Sequence, residues 1–275
     1  VKPYYEDDLV TLYVGDSDGT NGGEAILPRL DVDVAHIITD PPYNVSTRNG
    51  RDNTTVGTLK RADGTTRAVT RNFGEWDHTW EPAAFLAWAT EALPEGGSLI
   101  AFTSEFLISE YVASGLNHRN LIYWHKTNPT PAFKRLYVRA IEMAIWQVKG
   151  KGWVWNAGGY RPNVFTGPVV SGFRSANGEG RDHPTQKPLW LMEALISLHT
   201  AVGELVVDPY TGSGTTLVAC KRLGRRAVGI EQDEKYAEAA AIRLSSGVLD
   251  FGDWDEPAAE LAAIPDEALD FEALA

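Results

Sequence analysis

The chain is predicted to fold as an α/β protein built on a doubly wound, mostly parallel sheet. Two observations predict this. Short apolar runs rich in β-branched residues alternate with helical patterns from residue 9 to residue 244, the signature of a sheet covered by helices. A glycine-rich turn also joins one such run directly to a helical pattern, as ligand-binding turns in these sheets do. With 275 residues, 43% of them hydrophobic, the chain is long enough for one large domain with a buried core.

In chain order, residues 9–14 read as a strand ending at Gly15-Asp16, and residues 34–39 as a second ending at Asp40. Residues 81–93 are amphipathic and helical, and a turn at 94–97 leads into a strand at 98–102. Residues 121–125 and 141–148 are two further strands. A helix at 189–199, a strand at 204–207, a helix at 215–223, a strand at 226–230 and a helix at 234–244 complete the pattern. Two stretches break the alternation. Residues 45–75, rich in Thr, Arg, Gly and Asn, and residues 150–182, rich in glycine, read as long inserted loops of the kind that carry function. A compositional break near residues 245–247 divides a domain at 1–249 from an acidic tail at 250–275.

Composition excludes several classes. A single cysteine, Cys220, rules out a disulfide framework, and no histidine has metal-ligand spacing, so no metal is expected. No apolar run approaches the roughly 18 residues of a membrane span. A soluble, cytoplasmic protein with no membrane partner is the expectation. The net charge of −12 argues against a nucleic-acid partner, but the charge is uneven. The tail holds nine acidic residues and no basic ones, whereas residues 119–187 hold eleven basic and three acidic. A local basic stretch matters more for phosphate contact than the total does.

Two motifs carry chemistry. The first runs from Glu204 to Thr216 and places Gly212 and Gly214 between a strand and a helix. Glycine there lets backbone approach a ligand, and the helix start offers free N–H groups. Glu231 ends the next strand, 19 residues after Gly212, where a carboxylate can accept both hydroxyls of a ribose. The pattern alone fits a dinucleotide almost as well as another nucleoside cofactor. The third glycine of a dinucleotide loop is missing, however, and Asp208 at the strand end suits a ligand carrying both an ammonium and a carboxylate.

The second motif is Asp40-Pro41-Pro42-Tyr43-Asn44, directly after a buried strand. Two prolines remove two N–H donors and hold φ near −65°. The Asp40 carboxylate and the Pro41 carbonyl then form a pair of acceptors suited to a planar –NH2 group, with Tyr43 as a flat face for a base. An exocyclic amine is a poor nucleophile because its lone pair is delocalised into the ring. Holding both N–H groups localises that lone pair, so catalysis becomes orientation and electrostatics. Such a base must first leave the duplex.

These residues, with Gly15-Asp16, Gly96–Leu99, Trp124–Asn128, Glu142, His183–Pro188, Asp208–Thr216 and Gly229–Glu231, make the chain resemble the beta-class DNA amino-methyltransferases over roughly residues 9–245. The resemblance implies S-adenosylmethionine as methyl donor and a seven-stranded, Rossmann-like methyltransferase sheet in circularly permuted order. It implies that Asp40, Pro41, Pro42 and Tyr43 are catalytic. The cofactor would lie against Asp16, Asp40, Asp208, Tyr210, Gly212, Ser213, Gly214, Thr215, Thr216 and Glu231. Lys187 joins that set or is simply a helix-start lysine. Tyr210 stands where phenylalanine is more usual. In this family Asp-Pro-Pro-Tyr usually marks adenine N6, and Ser-Pro-Pro-Tyr is commoner for cytosine N4, so adenine is expected and cytosine N4 is the alternative. A nicotinamide-dependent oxidoreductase would explain the glycine loop but not residues 40–43; a non-catalytic DNA-binding relic is a further alternative. Double-stranded DNA is the expected partner, contacted through Arg48, Lys126, Arg135 and Arg139. A homodimer and a separate cognate restriction endonuclease are both compatible with the family.

Overall fold

A computed structural model describes residues 1–20, 22–43, 55–60, 66–70, 80–129, 137–170 and 185–246. Its main sheet has nine strands. They are β1 (Tyr5–Glu6), β2 (Val10–Val14), β3 (His36–Thr39), β6 (Ser98–Thr103), β7 (Asn117–Lys126), β8 (Ile141–Val148), β9 (Val164–Gly167), β10 (Leu205–Asp208) and β11 (Arg226–Glu231). Two more strands, β4 (Thr55–Lys60) and β5 (Thr66–Thr70), form a separate antiparallel hairpin. The helices are α1 (Pro82–Ala92), α2 (Ile108–Val112), α3 (Leu189–His199), α4 (Thr215–Arg222) and α5 (Glu234–Ser245).

Across the main sheet the strands run β1-β2-β11-β10-β3-β6-β8-β7-β9. From β2 to β6 every pairing is parallel; β8 is antiparallel to both β6 and β7, and β9 runs parallel to β7. The α/β, mostly parallel architecture expected from the sequence is therefore present, with nine strands in place of seven. The loop expected over residues 45–75 contains the β4–β5 hairpin, and the one expected over 150–182 contains β9. Residues 250–275, Arg48 and Arg135 lie outside the described residues.

Alternation within the central strands sorts side chains onto two cores. Ile38, Ile100, Phe102 and Val206 face a layer formed by α3, α4 and α5, including Leu195, Leu217 and Ala240. Their neighbours Ile37, Leu99, Ala101 and Val207 face the opposite layer, with Phe85 and Leu86 of α1 and Tyr111 of α2. All residues of β3, β6 and β10 are buried, which is why these strands are apolar through their middles rather than alternating, with polar residues only at their ends. Cys220 lies in the first core and is fully buried. Among the described residues no helix is long and apolar enough to cross a membrane.

The topology gathers the polar strand ends. Parallel β2, β11, β10, β3 and β6 all finish at one edge, so Asp16, Glu231, Asp208, Asp40 and Ser104 emerge there together. Because β8 is antiparallel, its start brings Glu142 to the same edge, and the end of β7 brings Lys126 opposite Glu142's strand. A crevice beyond the carboxyl ends of such strands is where open α/β sheets bind ligands.

Candidate active site

The glycine turn is braced from several sides. Gly212 and Gly214 both hold positive φ, 55° and 82°, a region that glycine enters without steric cost. At Gly214 a Cβ would also come within 2.8 Å of the Cβ of Ala240, so the residue lets α5 pack directly on the turn. Arg243 of α5 donates to the Ser213 carbonyl at 2.6 Å and to the Thr215 hydroxyl at 3.2 Å. Neither contact was foreseeable from the helical pattern alone.

Asp208 is a structural member of this turn. Only 2% exposed, it accepts the Thr39 hydroxyl at 2.6 Å, the Tyr210 N–H at 3.2 Å and the Thr216 side chain. Burial raises its carboxyl to about 6 despite those donors. Tyr210 turns away from the turn into a small aromatic cluster. Its hydroxyl donates to Asp18 at 2.6 Å, and the Trp80 indole N–H lies 3.0 Å from that hydroxyl. Trp80 and Phe85 each contact its ring edge-on at 5.6 Å. Asp16 likewise folds its carboxylate onto its own loop, accepting the Gly19 and Gly23 N–H groups at 3.0 and 3.2 Å.

Glu231 keeps open capacity. One oxygen accepts the Gly212 N–H at 2.7 Å and the other the Asp233 N–H at 2.8 Å. Each carboxylate oxygen has a second lone pair, and the two together fit a vicinal diol. Burial raises this carboxyl to about 7, so it is under-solvated for its charge and gains from further donors.

Next to this half, the Asp40 turn closes over a chain of four charged groups. Tyr43's hydroxyl donates to one Asp40 oxygen and the Lys187 ammonium to the other. Lys187 also stands 3.4 Å from Glu142, whose other oxygen is paired with Lys126. Lys187 is 5% exposed and lies over the rings of Tyr43 and Phe102, at 5.3 and 4.8 Å. Burial pushes the Asp40 carboxyl up, and Lys187 and Tyr43 only partly offset this. Burial acts the same way on Glu142, but Lys187 and Lys126 together outweigh it and hold Glu142 below the usual range. Burial works against the charge on Lys187 too; Asp40 and Glu142 overcome it and raise the ammonium.

The two halves touch. β3 and β10 are neighbours, and the Thr39–Asp208 hydrogen bond joins their last residues. Gln186 accepts from Ser213 of the glycine turn at 3.1 Å, while the adjacent Lys187 holds Asp40. One two-residue step in the chain thus ties both halves together. Lys187, left open by the sequence between a cofactor contact and a plain helix-start lysine, lies on the Asp40 side. Lys126, expected at a phosphate, has its side chain only 13% exposed and is paired inward. Arg139 is exposed beside Tyr137, which is 98% exposed. Glu142, Tyr111, Asp18, Trp80 and Arg243 were given no role by sequence reasoning; their contacts depend on packing between distant elements.

Comparison with known proteins matches this geometry. The family model for N6/N4-type DNA methylases matches residues 34–242. The type II methyltransferase M2.LlaDCHI of Lactococcus lactis subsp. cremoris is 30% identical over 265 residues, covering 90% of this chain and 93% of the relative. M2.DpnII of Streptococcus pneumoniae, also a type II methyltransferase, is 29% identical over 270 residues, with 89% and 93% covered. The solved M1.HpyAVI–SAM complex superposes with a TM-score of 0.60 at 29% identity, over 86% of this chain and all of that one. The cytosine-N4-specific PvuII DNA methyltransferase shares the fold at a TM-score of 0.65 and 18% identity, over 94% of this chain and 91% of that one. With a family match over most of its length and the paired glycine turn and Asp-Pro-Pro-Tyr turn at one sheet edge, the chain belongs to the S-adenosylmethionine-dependent, beta-class DNA amino-methyltransferases.

Proposed function

We propose that the protein transfers a methyl group to the exocyclic N6 of an adenine flipped out of double-stranded DNA. One observation carries this: the Asp40 acceptor and the glycine turn occupy neighbouring strand ends, linked by Thr39–Asp208 and by Gln186–Lys187. S-adenosylmethionine supplies an electrophilic methyl on a sulfonium. Glu231 fits its ribose diol, and the positive φ of Gly212 and Gly214 shapes the turn beside it.

Asp40 and the Pro41 carbonyl accept the two N–H groups of the target amine, turning its lone pair toward the donor. Tyr43 stacks on the extruded base while its hydroxyl holds the Asp40 carboxylate in place. Adenine rather than cytosine is supported by aspartate at position 40, since serine is commoner there in the cytosine-N4 enzymes. DNA approaches along the face that carries exposed Arg139 and Tyr137. The type II names of the curated relatives support a modification role beside a separate endonuclease; a homodimer would be compatible with it.

Replacing Asp40 with alanine is expected to reduce methyl incorporation from labelled donor at least a thousandfold, with donor affinity within a few fold of wild type. Near-normal turnover by that variant would remove Asp40 from the mechanism. Nucleoside digestion of the modified DNA is expected to yield N6-methyladenine; N4-methylcytosine would overturn the base assignment and leave the rest standing.

A further inference from the structure

Two polar atoms near Asp40, the Tyr111 hydroxyl and Oε2 of Glu142, are buried without a hydrogen-bond partner among the described residues. Only the second is a carboxylate oxygen beside a cation. Buried acceptors are normally satisfied, and each exception calls for an explanation. The nearest cation is Lys187 at 3.4 Å, whose ammonium sits instead against Asp40.

That arrangement poses a problem for the reaction. Asp40 already receives two donors, the Tyr43 hydroxyl and the Lys187 ammonium. A neutral amine arriving at the same carboxylate can use a remaining lone pair, but it shares that carboxylate with an ammonium whose bond, charged on both sides, is the stronger and draws on the same oxygen. Lys187 cannot retreat to water, because it is 5% exposed and walled by the rings of Tyr43 and Phe102. It needs another acceptor within reach, and Oε2 of Glu142, a carboxylate oxygen 3.4 Å away, is one it already faces.

We propose that Glu142 is a positioning residue for methyl transfer, drawing Lys187 off Asp40 as the target amine arrives so that the amine no longer shares the Asp40 carboxylate with a charged donor. This rests on Asp40 being the acceptor of that amine. The ammonium needs only a small displacement, since it stands between both carboxylates already. No proton moves in this step and no covalent bond changes. Lys126 keeps Glu142 ionised from the β7 side throughout, so the row Lys126, Glu142, Lys187, Asp40 stays neutral as a whole. Other groups face Asp40 as well: Tyr43 in its own turn, Tyr111 from α2 and Asp208 from β10. None of these is a cation that could take the place of Lys187.

The test uses the full chain, unmethylated genomic DNA and labelled donor. Glu142→Gln is expected to lower kcat at least tenfold, with the KM for donor and the Tm close to wild type. Its kcat/KM profile should also move: with the glutamate charge gone and Lys187 held on Asp40 alone, the acid limb shifts to lower pH. In a Lys187→Met background, where no competitor remains, adding Glu142→Gln should cost no further activity. Should Glu142→Gln fail to fold, Glu142→Asp, which keeps the charge but shortens the reach, is expected to lower kcat in the same assays. Wild-type kcat with an unmoved acid limb in Glu142→Gln would overturn the proposal. So would equal losses from Glu142→Gln in both backgrounds, or wild-type kcat in Glu142→Asp if that variant is the one assayed. A wild-type chain that transfers no methyl group would overturn the Asp40 reading and this inference with it.

Discussion

Glu231 makes a pH-dependent prediction possible. Its carboxyl is raised to about 7 by burial, so in the ligand-free protein it holds a proton over much of the mildly acidic range. Only the ionised form offers both oxygens to a diol. Donor affinity is therefore expected to rise with pH and level off above about 7, being about tenfold weaker one unit below that point. Calorimetric titration between pH 5.5 and 8.5 checks it; a flat profile would place the ribose elsewhere. Tyr210 gives a milder case. Its hydroxyl bridges Asp18 and Trp80, so Tyr210→Phe is expected to cost about 1 kcal/mol in urea unfolding. The gathering of Asp40, Tyr43 and Glu231 at one sheet edge was legible in the sequence because proline, glycine and a strand-end acid have few other reasons to share such spacing. The inward pairing of Lys126 was not, because a lysine in a basic stretch looks the same whether it meets phosphate or a buried glutamate.

At the level of elements, the central strands were readable because burial on both faces makes their middles apolar without alternation. The edges were harder. β1 has two residues and β9 only four, and β7 starts with exposed Asn117, His118, Arg119 and Asn120, so it begins four residues before the apolar run does. The short edge strands β1 and β9, and the start of β7 that runs beyond its pairing with β9, meet solvent, and that hides them from a search for hydrophobic runs. The β4–β5 hairpin is rich in threonine and was read as loop for the same reason. Where α4 meets α5, Gly214 is expected to be intolerant. Gly214→Ala combines a positive φ with a contact of 2.8 Å to Ala240. A loss of roughly 2–4 kcal/mol in chemical denaturation is expected, together with weakened donor binding.

For the molecule as a whole, charge and chain order matter most. The formal charge of −12 includes nine acidic residues in the last 26, while residues 119–187 are strongly basic. Deleting residues 250–275 is expected to retain methyl transfer and to tighten non-specific DNA binding at low salt. Filter binding over a salt series would show this, and unchanged affinity would mean the tail does not compete with DNA.

The strand order has one more consequence. β11 and β10 lie between β2 and β3, yet both are translated after the rest of the sheet. As the polypeptide leaves the ribosome, β2 and β3 each present an unpaired inner edge until more than 160 further residues have followed. Such edges are sticky, and nascent chains that expose them depend on chaperones or on speed. A stalled product ending at residue 200 should accordingly collect in inclusion bodies, while the finished chain closes its own seam.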